Sequence, residues 1–406
     1  MRFAPLLWSF VSSSLLASAN ILENGQERLN PWPGQAPNVS LDDSWRNYDA
    51  GAPEIAYKGR WDSKHIGWWS APGFKTEFTG DRLAVSFGEH TTEGVLVAYR
   101  IGSLDWLFSN VTADTTYQFV SPETDVGEKP VGDPKVFELR VTNWGRGAQI
   151  AGVSVASDAH LNRVENFKRR VEIIGGSLAS GQYGTYETLS SWAWLYGAGL
   201  GNAEFDITAY PGACLADMKC YGGNVHGMPW WWHRASDPGT RAREMYDHDP
   251  EEFDVRGDQP ADLVIIQMGG NDHRSPNEIS GPDFYHDYIR LIDDVHSIWP
   301  KAVVVVMTQW GVWTKTGTEY VPNSVYESEI KRVHDHYKEK GFVHWFDTAG
   351  ILQHNDINPK NHPTDVGHIK LASHLLQWTR MIMRWPLEPT GEVQHGTEYW
   401  NNMQQY

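Results

Sequence analysis

Between Ala52 and Ala156 apolar and polar side chains alternate in short runs, among them Lys75-Thr76-Glu77-Phe78, Leu83-Ala84-Val85-Ser86-Phe87, Val95-Leu96-Val97-Ala98-Tyr99 and Val136-Phe137-Glu138-Leu139-Arg140-Val141. Gly, Asp, Asn and Pro punctuate them. A period of two sends successive side chains to opposite faces, so each run predicts a strand with one buried face, and their spacing predicts an antiparallel β-sandwich. Trp61, Trp68, Trp69 and Trp106 fall in this region and are assigned to its core and rim.

Past Leu161 the pattern changes. Apolar runs at 171–174, 204–209, 263–268, 302–307 and 342–346 alternate with longer amphipathic stretches at 186–200, 284–298, 325–340 and 368–383. Strands that are apolar on both faces, each followed by a helix, predict βαβ units and a parallel sheet. In such sheets chemistry collects beyond the carboxyl ends of the strands. The reading divides the chain into a leader (1–19), an extension (20–50), a β-sandwich (51–160), an α/β domain (161–390) and a polar tail (391–406).

Arg2, an apolar run from Phe3 to Leu16, and Ala17-Ser18-Ala19 have the three parts of a secretory signal peptide, so a mature chain is expected from about Asn20 and an extracellular location follows. The apolar run is shorter than the roughly 20 residues that cross a bilayer. With 51 acidic against 34 basic side chains the net charge is −17, a field that repels nucleic acid and anionic membranes and suits a neutral partner. A monomer is expected. Asn38-Val39-Ser40 and Asn110-Val111-Thr112 are glycosylation tripeptides. The two cysteines, Cys214 and Cys220, are expected to form a disulfide in an oxidising compartment. Neither they nor the pairs His362/His368 and His226/His233 have a recognisable metal-ligand spacing, so no metal and no cofactor is expected.

Four segments carry chemistry. The strand at 171–174 runs into Gly175-Gly176-Ser177-Leu178-Ala179-Ser180-Gly181-Gln182-Tyr183-Gly184. A serine at a glycine-flanked strand-to-helix turn is placed as an acyl-transfer nucleophile, with helix N–H groups ready for an oxyanion; the same residues also suit a simple helix cap. Tyr210-Pro211-Gly212-Ala213 offers an unobstructed backbone N–H after the second strand, and Gly269-Gly270-Asn271-Asp272 turns tightly after the third. Asn361-His362-Pro363-Thr364-Asp365-Val366-Gly367-His368 precedes the last helix, which puts the His362 imidazole on the same side of the sheet as Ser177. His368 is the rival base, assigned to support of the loop from its place at the helix start.

Taken in order, Ser177 in its glycine block, Gly212, Gly269-Gly270-Asn271-Asp272 and the His-Pro segment resemble the four blocks of the SGNH (GDSL-like) hydrolases. A β-sandwich followed by such a domain is similar to the family 2 carbohydrate esterases and related fungal secreted esterases. The resemblance implies a flavodoxin-like three-layer α/β domain preceded by an antiparallel, jelly-roll-like sandwich. It further implies a Ser177–His362 catalytic pair, an oxyanion hole from the Ser177 and Gly212 N–H groups and the Asn271 amide, and removal of acetyl groups from plant-wall polysaccharide such as xylan or glucomannan. Two departures stand out. Gly176 replaces the usual Asp before the nucleophile, and Pro359 occupies the position three before the histidine where a triad aspartate is common. A main-chain carbonyl can hold the imidazole instead. Pro359 or a neighbour is the expected donor of that carbonyl, with Asp356 and Asp365 as alternatives.

Trp230, Trp231 and Trp232 are read two ways, as a sugar-stacking wall or as packing for the insertion that carries them. Two further functions stay open at this point. One is a lipase or general short-chain acyl esterase with a wider acyl pocket; the other is a catalytically weak glycan-binding protein.

Overall fold

A computed structural model describes residues 36–124, 133–218, 220, 226–247, 249–310 and 312–386, together with a short strand pair before them. The leader at 1–19 and the tail at 391–406 lie outside the described residues. The chain divides into two compact units, Met1–Pro31 and Trp32–Tyr406. In the first, β1 (Leu22–Glu23) pairs antiparallel with β2 (Gln26–Glu27).

The second unit begins with the alternating strands: β3 (Trp45–Asp49), β4 (Ala56–Trp61), β5 (Gly67–Phe78), β6 (Leu83–Phe87), β7 (Val95–Ile101), β8 (Leu107–Val111), β9 (Thr116–Val120), β10 (Lys135–Val141), β11 (Ile150–Ala156) and β12 (Leu161–Asn162). One sheet has the order β3-β11-β6-β9, and β5, β10, β7 and β8 run side by side in another. Every second residue from both sheets, including Phe74, Phe78, Val85, Phe87, Val97, Tyr99, Phe137, Leu139, Val153 and Val155, enters one shared core. Strand β3 falls in the segment assigned to the extension; it pairs with β11 in full register and belongs to the sandwich.

The α/β part follows as β13 (Arg169–Gly175), α1 (Ser177–Ser180), α2 (Trp192–Leu200), β14 (Ala203–Ala209), α3 (Met228–Trp231), α4 (Thr240–Tyr246), β15 (Leu263–Gln267), α5 (Gly270–His273), α6 (Gly281–Ile298), β16 (Val303–Met307), the hairpin β17 (Val312–Thr316) and β18 (Glu319–Asn323), α7 (Glu327–His336), β19 (Val343–Phe346) and α8 (Asp365–Ile382). The order β14-β13-β15-β16-β19 is parallel throughout, the flavodoxin-like arrangement. Strand β15 shows why its residues are apolar without alternation. Val264 and Ile266 pack with α6 and α7 residues such as Leu291, Val295 and Ile330, whereas Leu263 and Ile265 pack with Trp192, Tyr196, Leu371 and Leu375 from α2 and α8. The two faces make the three layers.

The sheets are continuous. Strand β5 pairs with β10 inside the sandwich and, at Ser70↔Ile207, with β14 of the parallel sheet, giving an 11-stranded mixed sheet. Positive φ at Trp69 (65°) and Ala71 (54°) bends β5 where it changes partner. A buried charge pair, Arg60–Glu172, crosses the same join, with a second set around Arg170 beside it in the parallel sheet. Arg60 of β4 donates to Glu172 of β13 at 3.3 Å and to the carbonyl oxygens of Trp232 and Arg234, and Arg170 pairs with Asp206 at 2.6 Å and Asp258 at 2.7 Å.

Candidate active site

Strand β13 ends at Gly175, and Gly176, with φ of −107° and ψ of −148°, caps α1. The turn is closed by Ala179 N–H and Ser180 N–H, which donate to the Gly176 carbonyl at 3.1 and 3.0 Å, and by the Ser180 hydroxyl, which donates to the Ser177 carbonyl at 3.1 Å. Ser177 is therefore the first helical residue, its N–H among those no helix can satisfy internally, and its side chain is half-buried.

His362 lies on the loop between a 3-10 turn, His354–Asp356, and α8. That loop is tied across its neck: Asn358 N–H donates to the His362 carbonyl at 2.8 Å, Thr364 N–H to the Asp356 carbonyl at 2.7 Å, and His362 N–H to Asn358 Oδ1 at 3.3 Å. Held this way, His362 Nε2 stands 2.9 Å from Ser177 Oγ and Nδ1 stands 2.8 Å from the Lys360 carbonyl oxygen. A carbonyl only accepts, so Nδ1 carries the proton and Nε2 is left to accept from the serine hydroxyl. Burial pushes the His362 pKa below the ordinary histidine value, the bond to the Lys360 carbonyl opposes it, and the positive charge of Arg274 adds to the lowering.

The histidine partner is thus Lys360, a neighbour of Pro359 rather than Pro359 itself. Neither Asp356 nor Asp365 is the partner of His362 Nδ1, which meets the Lys360 carbonyl. Asp356 is turned inward, accepting from Gln353 N–H at 2.9 Å and pairing with Lys370 Nζ at 2.8 Å, while Asp365 Oδ1 accepts from Thr185 N–H at 3.0 Å. His368 is fully buried and its Nδ1 accepts from Trp192 N–H at 3.0 Å, fastening α8 to α2; burial drives its pKa down to about 3.

Two glycine turns lie beside this pair. Gly212 has φ of +86° and Gly269 of +124°, angles that a β-carbon resists. Among the described residues the Gly212 N–H has no acceptor. Asn271 Nδ2 donates to the Ala213 carbonyl at 2.9 Å, and Asn277 Nδ2 donates to the Asn271 carbonyl at 2.8 Å. Asp272, fully buried, accepts from Leu215 N–H at 3.0 Å and Ala216 N–H at 2.9 Å, and burial pushes its pKa up to about 6. Cys214 and Cys220 are joined as a disulfide, with Cα atoms 6.2 Å apart.

Gly176 sits against this assembly. A β-carbon there would lie 3.5 Å from Asn271 Nδ2 and 3.8 and 3.9 Å from the carbonyl oxygens of Ala213 and Tyr210. Space for a side chain exists, but a carboxylate would face carbonyl oxygens. Here the Ala213 carbonyl, instead of a carboxylate on residue 176, holds the Asn271 amide.

Of the three adjacent tryptophans, Trp231 and Trp232 are taken up in packing and Trp230 is only partly buried. Trp231 and Trp232 are buried, their indole N–H groups donating to the His226 carbonyl (3.1 Å) and to Glu172 (3.2 Å), and Trp230 stacks on His226 (ring centroids 4.1 Å apart) beneath the Arg234 guanidinium. These rings pack the insertion onto α6 and the sheet. Asn38 and Asn110 are exposed, and the Asn110 amide donates to the Gly94 carbonyl at 3.0 Å. His233 pairs with Asp294 at 2.6 Å. Among the described residues no group of three or more His, Cys, Asp or Glu is placed to hold a metal ion, and no helix is long and apolar enough to cross a membrane.

Three groups near the pair were missed in the sequence. Lys360 acts through its main chain and leaves no side-chain signature. Arg274 follows the Gly269-Gly270-Asn271-Asp272 block by two positions, and Tyr183 stands in the glycine block itself; an aromatic between glycines beside a nucleophile was the available signal.

Residues 173–370 match the GDSL-like Lipase/Acylhydrolase family. No match is found among curated proteins. Among solved structures the chain is similar to a family two carbohydrate esterase from Cellvibrio japonicus, with 16% identity and a TM-score of 0.65 over 84% of this chain and 99% of that one. It is also similar to a family two carbohydrate esterase from Clostridium thermocellum in complex with cellohexaose, with 20% identity and a TM-score of 0.61 over 82% of this chain and 100% of that one. A third is an acetyl xylan esterase from the rumen bacterium Butyrivibrio proteoclasticus, with 16% identity and a TM-score of 0.63 over 84% and 100% of the two chains.

Proposed function

We propose, from the premise that residues 173–370 carry the GDSL-like acylhydrolase pattern in a fold shared with family 2 carbohydrate esterases, that this chain is a secreted serine esterase. Its substrate is an acyl ester, in the first place an acetyl ester, on a plant cell-wall polysaccharide such as xylan or glucomannan. The observation that carries the proposal is the hydroxyl–imidazole–carbonyl line, Ser177 Oγ to His362 Nε2 at 2.9 Å and His362 Nδ1 to the Lys360 carbonyl at 2.8 Å.

Ser177 Oγ attacks the ester carbonyl as its proton passes to Nε2. The charge that develops on the carbonyl oxygen is met by the Ser177 and Gly212 N–H groups and the second hydrogen of the Asn271 amide. The imidazolium gives its proton to the sugar oxygen as the C–O bond breaks, leaving an acyl-serine. Water then enters, His362 takes its proton, and the acid departs with Ser177 restored. A carbonyl stabilises the imidazolium less than a carboxylate does, but it fixes the same tautomer.

The polysaccharide assignment draws on the cellohexaose complex of the Clostridium thermocellum enzyme and on the name of the Butyrivibrio proteoclasticus one. Export is supported by the tripartite pattern of residues 1–19 and the Cys214–Cys220 disulfide. Acetate release from acetylated xylan and acetylated glucomannan tests the proposal. Wild type is expected to release acetate and Ser177→Ala to release none above background. Equal release by both proteins, or faster turnover of an octanoate ester than of the acetate, overturns it.

A further inference from the structure

Tyr183 is half exposed, at 51%, so its ring is open to a ligand. Its backbone has φ of +72°, a conformation that costs energy in a residue with a β-carbon and that persists only where the surroundings impose it. Those surroundings are rigid. Gln182 N–H donates to the Ser177 carbonyl at 3.1 Å, Gly184 N–H to the Gly181 carbonyl at 2.9 Å, and Thr185 N–H to Asp365 at 3.0 Å. The loop backbone is thus tied on both sides of Tyr183 while its ring is left half exposed. The ring stands beside the reacting groups, its centroid 5.0 Å from that of the His362 imidazole and its plane nearly perpendicular to it, at 83°.

In acyl transfer the alcohol that leaves must lie against His362, because Nε2 gives it a proton. A ring on that side lies toward the leaving alcohol, whereas the carbonyl oxygen of the ester faces the oxyanion donors. The C–H face of a pyranose is apolar and packs on an aromatic ring. From this geometry we infer that Tyr183 is the platform on which the leaving sugar ring rests, a positioning residue that selects sugar esters over esters of small alcohols. The inference rests on the sugar-ester reading above.

The test compares kcat/KM of wild type, Tyr183→Ala and Tyr183→Phe on acetylated xylo-oligosaccharide and on ethyl acetate, whose leaving alcohol has no ring. Tyr183→Ala is expected to lose about tenfold on the oligosaccharide, mostly through KM, the size of one lost aromatic contact. It should keep wild-type activity on ethyl acetate, and Tyr183→Phe should behave as wild type on both. Undiminished oligosaccharide turnover by Tyr183→Ala overturns the inference alone. So does an equal loss on both esters, which would make Tyr183 a prop for His362. Failure of the wild type itself on the oligosaccharide, with ethyl acetate hydrolysed, removes the sugar-ester reading and this inference with it.

Discussion

His362 is useful only while neutral, since a protonated Nε2 cannot accept from Ser177. The acid limb of kcat/KM therefore reports its pKa in the free protein. Burial and the Arg274 charge both disfavour the imidazolium, so the limb is expected below the ordinary histidine value of 6.5. Replacing Arg274 with Gln removes one of those influences and moves the limb to higher pH, with the plateau at neutral pH retained. A pH–rate profile of Arg274→Gln with an unmoved or lowered limb would show that the Arg274 charge does not act on the titrating base. At this scale the sequence marked the two side chains that the structure brings within 2.9 Å of each other, and marked their supports poorly. Ser177 and His362 stand in segments whose glycines and proline announce a turn. The Lys360 carbonyl does not announce itself, because every residue has one and only the folded loop decides which of them points at an imidazole.

Among the elements, the loop after β14 bears the heaviest constraint. It is held from α5 by Asp272 and Asn271 and closed on itself by the Cys214–Cys220 bond, six residues apart in sequence. Opening a loop of that length is expected to cost about 2 kcal/mol through the freedom returned to the unfolded chain. A Cys214→Ser, Cys220→Ser double variant should accordingly melt at a lower denaturant concentration and show a lower kcat, because the Gly212 N–H loses its fixed direction. Unchanged kcat would separate this loop from the oxyanion site. The buried strands were legible as apolar runs to within a residue or two, since a strand covered on both faces is mostly apolar, the buried Glu172 and Thr208 being admitted where partners meet them. The amphipathic stretch at 186–200 was less so: a 3-10 turn, Glu187–Ser190, occupies its start, and Ser191 caps a fresh helix at Trp192 by accepting from Trp194 N–H. The β17–β18 hairpin was not seen. Its strands are largely exposed and mix Thr, Lys and Glu with the apolar residues, so no buried face marks them.

In the molecule as a whole, the sandwich and the parallel sheet share β5, and the buried Arg60–Glu172 contact crosses the same join. Strand character can be read from a sequence, but a strand's partner a hundred residues away cannot. The shared strand predicts one cooperative unfolding transition for Trp32–Tyr406. Replacing Arg60 with Met removes one of the two guanidinium groups beside buried Glu172, which keeps Arg170, Thr208 and Trp232, and leaves the Trp232 and Arg234 carbonyls without that donor; it is expected to cost about 3 kcal/mol. In guanidinium that loss should move the whole transition; a second, unmoved transition would show that the two halves melt apart. Beyond stability, this scaffold brings four distant loops to one rim of the sheet. The most direct test of that convergence is a fluorophosphonate probe, which reacts only with a serine activated by a base, followed by peptide mapping. The label is predicted on Ser177 and nowhere else, and it should vanish in His362→Ala. Labelling of a different serine, or labelling of Ser177 that survives loss of His362, would contradict the account.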